Sequence, residues 1–115
     1  MIDPLRPYLP AIAVALLATL FGHGLGVAFG AAEEPIKKSL RASADAVLAE
    51  KYGGDAAKAE QAATKSFTYL KRAHLHGGAL GTGALVVSLV LAFLGGALRP
   101  RQAVATSASV GALGY

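Results

Sequence analysis

Two long apolar runs separated by a segment of mixed charge dominate the pattern of this chain. From Pro7 to Ala32 there is no Asp, Glu, Lys or Arg across 26 residues, and from Leu75 to Leu98 there is none across 24. Roughly 20 apolar residues rising ~1.5 Å each cross a hydrocarbon core ~30 Å thick. Each run therefore predicts a transmembrane helix, the first over 8–32 and the second over 75–98, with residues 1–7 as a short flank. The expected fold class is an all-α integral membrane protein, a two-transmembrane-helix hairpin with a helical extramembrane connection. The small residues of Ala28-Phe29-Gly30-Ala31 resemble a signal-peptide cleavage site. The preceding apolar stretch is long for a signal peptide, so an uncleaved span is expected.

The connection, 33–74, keeps helical period in two parts. Pro35 suits a first helical turn, where its missing N–H is no loss, and Glu33 and Glu34 suit the positive end of the dipole. Ile36, Leu40, Val47 and Leu48 then recur at helical spacing. Gly53-Gly54 predicts a stop and Asp55 the N-cap of the next helix. From Ala59 through Ala63, Phe67 and Leu70 to His74 nothing breaks the period, so this helix is expected to run into the second span. After Leu98, Arg99-Pro100-Arg101-Gln102 predicts a polar turn. The uncharged tail 103–115 is too short to span, leaving a half-inserted helix, an interfacial tail or part of a third membrane segment.

Charge changes the picture little. The net charge of +4 and pI near 9.6 come from basic residues interleaved with acids, so nucleic acid is not expected as a partner. Eight of the 11 Lys and Arg lie in the connection beside six acids, whereas Arg6, Arg99 and Arg101 occupy short flanks. Basic residues in short flanks are the ones that orient a span, which favours both termini inside. The mean hydropathy of +0.48 fits a multi-pass protein of a cell membrane, the bacterial inner membrane being the natural setting. With no cysteine, disulfides, thiolate metal sites and covalent c-type haem attachment are excluded.

Small residues recur four apart in both spans. Gly22, Gly26 and Gly30 make two G-x-x-x-G steps; Gly77 and Gly81 make a third, extended by Ala84, Ser88, Ala92 and Gly95. Such faces let helices approach closely in lipid, and these are the expected helix-packing residues. Phe67, Tyr69, Lys71, Arg72, Arg99 and Arg101 flank the spans as expected membrane-interface anchors.

The three histidines, His23, His74 and His76, fall at the ends of the spans that a hairpin brings to one membrane face. His74 and His76 are two apart, about 200° around a helix, and cannot both face one ligand on an unbroken helix. His23 lies inside its span, where a titratable side chain finds a partner or a function. One expectation is a haem b or metal site formed by His23 with His76 or His74, the neighbouring glycines making room for the macrocycle. Another is that His23 hydrogen-bonds a backbone carbonyl or a Ser/Thr side chain while His74 and His76 are interfacial, and a third is contact with a quinone or a lipid headgroup.

Neither span carries the intramembrane carboxylate that ATP-synthase rotor subunits and small multidrug transporters need. No P-loop, G-x-S-x-G or H-E-x-x-H motif is present. Enzyme activity is not expected. The favoured function is a small accessory or structural subunit of a larger membrane complex, energy-transducing (respiratory or photosynthetic) in kind, with other membrane subunits, lipid and self-association as its contacts. The alternative is a haem- or metal-binding electron-transfer protein.

Overall fold

The computed structural model describes residues 3–115, and the described residues are helical with no strand among them. After a single 3-10 turn at Arg6–Tyr8 come α1 (Leu9–Ala46), α2 (Leu48–Tyr52), α3 (Ala56–Phe93) and α4 (Leu98–Gly114). The chain divides into two compact units: residues 1–24 with 73–115, and residues 25–72.

The first unit brings together the start of α1, the end of α3 and the whole of α4. Tyr8 and Ala11 meet Ala92 and Ala105 in one cluster; Ala15 and Ala18 meet Ala84 and Ala112 in the next. As numbers rise along α1 they fall along α3 and rise along α4, so α1 and α4 run parallel and α3 antiparallel to both. Apart from Tyr8, the fully enclosed side chains are alanines and two serines, Ser88 and Ser109. Each serine hydroxyl donates to the carbonyl four residues back, Ala84 at 2.8 Å and Ala105 at 2.9 Å, so the burial leaves neither unsatisfied. Leu5, Ile12, Leu85 and Leu91 pack at the margin of these clusters, and most of the other large apolar side chains point outward. Leu20 is 68% exposed and Phe93 70%, while Ala15 and Ser88 are 0%.

The polar turn expected at Arg99–Gln102 is in the first turns of α4, and the break falls earlier, at Leu94–Ala97. Gly96 turns the chain there with φ +102°, a conformation glycine adopts without strain. Pro100 fits the first turn of α4, where backbone N–H groups have no intrahelical partner. The Arg101 guanidinium folds back on the last carbonyls of α3 and the turn, donating to Leu91 O at 2.8 Å, Leu94 O, and Gly96 O at 3.0 Å. It thereby satisfies groups that a helix end leaves orphaned. Gln102 Nε2 donates to Pro7 O at 2.9 Å. The tail, left open between three alternatives, is a helix that buries Ala105, Ser109 and Ala112 against α1 and α3.

The second unit pairs the later part of α1 with the start of α3, joined through α2. α1 kinks at Ala32 (φ −139°, ψ 30°), three residues before Pro35. The proline ring removes one N–H and crowds the carbonyl four residues back, which is the cause of the kink. Ala44, Ala59 and Ala63 form the core, with Leu40, Leu48 and Tyr52 around it. At the turn, Gly53 takes φ +59° and the Gly54 N–H closes on Leu48 O at 3.0 Å. Asp55 Oδ1 accepts from the N–H groups of Ala57 (3.0 Å) and Lys58 (3.2 Å), the bonds of an N-cap.

Candidate functional site: the glycine crossing and its histidines

Glycines set the closest approach in the first unit. A Cβ added to Gly22 would lie 2.1 Å from Gly78 N, and one on Gly81 would lie 2.6 Å from Thr19 N, both impossible contacts. On Gly77 it would stand 3.3 Å from Gly22 Cα. The backbones of α1 and α3 thus touch at Gly22, Gly77 and Gly81, and Ala84 and Ser88 continue the seam along α3.

Of the expected ladder on α1, Gly22 lies in this seam. Beyond Gly22 the stripe runs back through Ala18, Ala15 and Ala11 to Tyr8, at alternating spacings of three and four residues. Gly30 faces open space and belongs to the other unit, and Gly95 lies in the turn beyond α3 with nothing near it. Alanines at heptad-like spacing were the signal for this face. Glycine draws the eye, but alanine and serine also let helices approach closely.

The histidines go to three different partners. His23, exposed on α1, places Nδ1 2.7 Å from Thr19 O, and its ring lies over Gly78. His74 reaches across from α3 and places Nδ1 2.6 Å from Gly22 O, which ties the two helices at their closest point. A carbonyl oxygen only accepts, so in each ring Nδ1 carries the hydrogen and Nε2, in the neutral form, carries the lone pair. His76 meets the Tyr115 ring edge-to-face at 4.8 Å, holding the end of α4 to α3. The two adjacent histidines serve different contacts, as their spacing requires.

The glycines do not make room for a macrocycle between the helices. Gly22 and Gly77 give their space to each other, and the crevice beside them, lined by Ala18, Phe21, Ala73, Gly77, Ala112, Leu113 and Tyr115, holds about 50 Å³. Pockets for drug-sized ligands run to roughly 300–1,000 Å³. A planar cofactor held by His23 would have to lie on the outer face, where Gly24 has open space beside it. Among the described residues no group of three or more His, Cys, Asp or Glu is gathered to hold a metal ion.

The expected interface anchors have uneven surroundings. Phe67 is buried in the second unit, edge-to-face with Phe29 at 5.8 Å, with Lys37 Nζ 5.2 Å and Lys71 Nζ 5.9 Å from its ring centre. Tyr69 is exposed and carries the Arg72 guanidinium 5.8 Å from its ring. Lys37 also bonds Glu33 (2.6 Å) and Glu34 (3.2 Å), and Arg41 pairs with Glu60 at 3.0 Å across the two helices. The Lys37 ammonium, by hydrogen bond and charge, holds the Glu33 carboxyl below the usual range, and Glu33 and Glu34 hold Lys37 above its own. Comparison with family models, with curated proteins and with solved structures finds no match for this chain.

Proposed function

We propose that this chain is an integral membrane protein of a cell membrane, in which the apolar stretches of α1 and α3 cross the bilayer and α4 packs on them. We further propose that it serves as a small accessory subunit of a larger membrane assembly. One observation carries the membrane reading: the first unit is inside-out by the standards of a water-soluble fold. Apart from Tyr8 its buried side chains are alanine and serine, and most of its large apolar side chains, among them Leu16, Leu17, Leu20, Phe21, Val90 and Phe93, face outward. In the most apolar 18-residue stretches of α1 and α3, 17% and 28% of residues are buried, whereas the core helix of a soluble protein is mostly buried. Water penalises such a surface at about 25 cal/mol per Å² of apolar area. Lipid does not, and small-residue seams are how helices associate there.

The accessory role rests on what the outer face still lacks. His23 is exposed at the level of the apolar run, and with Nδ1 engaged by Thr19 O its second nitrogen is an acceptor in need of a donor. Gly24 and Gly83 have open space beside them, so another helix can come close. A neighbouring helix that supplies a hydroxyl or N–H donor meets both needs.

Extraction separates these claims. Release into alkaline carbonate as a detergent-free monomer would sink the membrane reading. Retention in the membrane, followed by migration as a lone monomer in mild detergent with Gly24→Leu having no effect, would sink the accessory role alone. The haem or metal alternative has one observation in its favour. A ligating imidazole characteristically donates its other N–H to a carbonyl, as His23 and His74 both do. A Soret band lost in His23→Ala supports it, and a colourless, metal-free preparation removes it.

A further inference from the structure

We propose that the cleft of the second unit formed by Lys37, Arg41 and Thr64 over Phe67 binds a phosphate-type oxyanion. The cleft holds about 240 Å³, smaller than a drug-sized pocket and suited to a small anion. Its donors are held in place yet retain capacity. Lys37 has three N–H groups and directs two contacts to Glu33 and Glu34; Arg41 has five and makes one to Glu60. Ser66 and Thr68 return their hydroxyls to the carbonyl four residues back, while the Thr64 hydroxyl makes no such bond and lines the cleft.

The floor adds a second argument. Two ammonium groups, from Lys37 and Lys71, approach the one Phe67 ring. Both cations add positive potential at the floor of the cleft, beside the carboxylates of Glu33 and Glu34. Arg and Lys together match phosphoryl oxygens, Arg as a fork and Lys as a point charge. Lys71 stands four residues ahead of the second apolar run. On the proposed membrane reading this sets the ring beside lipid headgroups, so the oxyanion comes either from a headgroup or from solution.

The test uses the full chain with two probes: inorganic phosphate followed by ³¹P NMR in a zwitterionic micelle, and phosphatidylglycerol retention in nanodiscs read by native mass spectrometry. Arg41→Gln is expected to weaken binding about tenfold, the loss of one charge-assisted hydrogen bond. Thr64→Val, which keeps shape and charge, is expected to weaken it less. Lys65→Gln, an equal charge change outside the cleft, should leave it unchanged. Phosphatidylglycerol retention with that pattern identifies a headgroup; inorganic phosphate binding with that pattern identifies a soluble anion. Absence of binding to both probes, or equal weakening by Lys65→Gln and Arg41→Gln, overturns the site. The phosphate arm needs no bilayer, so it can succeed even if carbonate extraction defeats the membrane reading.

Discussion

The two units pack their helices alike but present different outer surfaces. In each, α1 and α3 meet through small side chains: Ala11, Ala15, Ala18 and Gly22 against Gly77, Gly81, Ala84 and Ser88 in one, Ala44 against Ala59 and Ala63 in the other. Their outer faces differ, although the second also exposes Val27, Tyr69 and Leu70. The first presents Leu16, Leu17, Val86, Val90 and Leu113; the second presents Glu60, Lys65, Lys71 and the Arg41–Glu60 pair. A small-residue seam therefore says that helices are close but not what solvent surrounds them. The outward residues carry that information, because the outer face answers to the surrounding medium and the inner face only to its partner.

The largest expected effect tests the seam of the first unit. Gly22→Ala forces a methyl into the Gly78 backbone and should cost about 3 kcal/mol, the upper end of overpacking. Gly24→Ala, with open space, should change stability by less than about 0.5 kcal/mol. Denaturation in detergent followed by circular dichroism checks both, and equal effects would show that the backbones do not touch. Next is Ala59→Leu in the second unit, expected to cost about 1–3 kcal/mol by prying apart the alanine core. If hydrogen exchange rises in 73–115 as much as in 33–72, the two units unfold as one.

Smaller effects test the contrast in medium that the proposed membrane reading implies. His74→Phe removes the interhelical bond to Gly22 O and should cost about 0.6 kcal/mol, at most ~1.7, as for polar contacts between membrane helices. That loss should be insensitive to salt. Glu60→Gln should cost about 0–1 kcal/mol and lose its effect as ionic strength rises, as a water-exposed ion pair does. A salt-dependent His74 or a salt-independent Glu60 would blur the distinction between the units.

The smallest effect is one of pH. Glu33 is lowered from its ordinary value of 4.5, chiefly by the Lys37 hydrogen bond, so its contribution is present above that value and fades as pH falls through the depressed one. Lys37 is raised from 10.5, so its contribution is present below that value and fades as pH rises through the raised one. The second unit should be most stable between the two limits. Carboxyl NMR titration should move the Glu33 midpoint upward in Lys37→Met; an unmoved midpoint would mean that the pair does not form.

Much of the architecture is legible in local signals. The helical stop at Gly53-Gly54 and the Asp55 cap follow from the backbone needs of those residue types, whereas Pro35, expected in a first helical turn, lies within α1 just after its kink at Ala32. α3 ends at Phe93, short of the expected Leu98, because Arg99-Pro100-Arg101 has the polarity of a turn but Gly96 has the conformational freedom that makes one. Arg101, expected as an interface anchor, binds the carbonyls at the end of α3, a role that needs the chain to reverse before it exists. Of the candidate site, the divergence of His74 and His76 was readable from helical period, but their partners Gly22 and Tyr115 were not.

By itself the sequence determined an all-helical chain with two charge-free runs and a charged, helical connection, because hydrophobic period, caps and breakers act within a few residues. The tertiary structure alone decided which small residues meet. It matched Gly22 with Gly77 and Gly78, continued that seam through the alanine stripe of α1, and laid α4 along both helices. Close approach is a property of two surfaces in register, and no single helix carries the register of its partner.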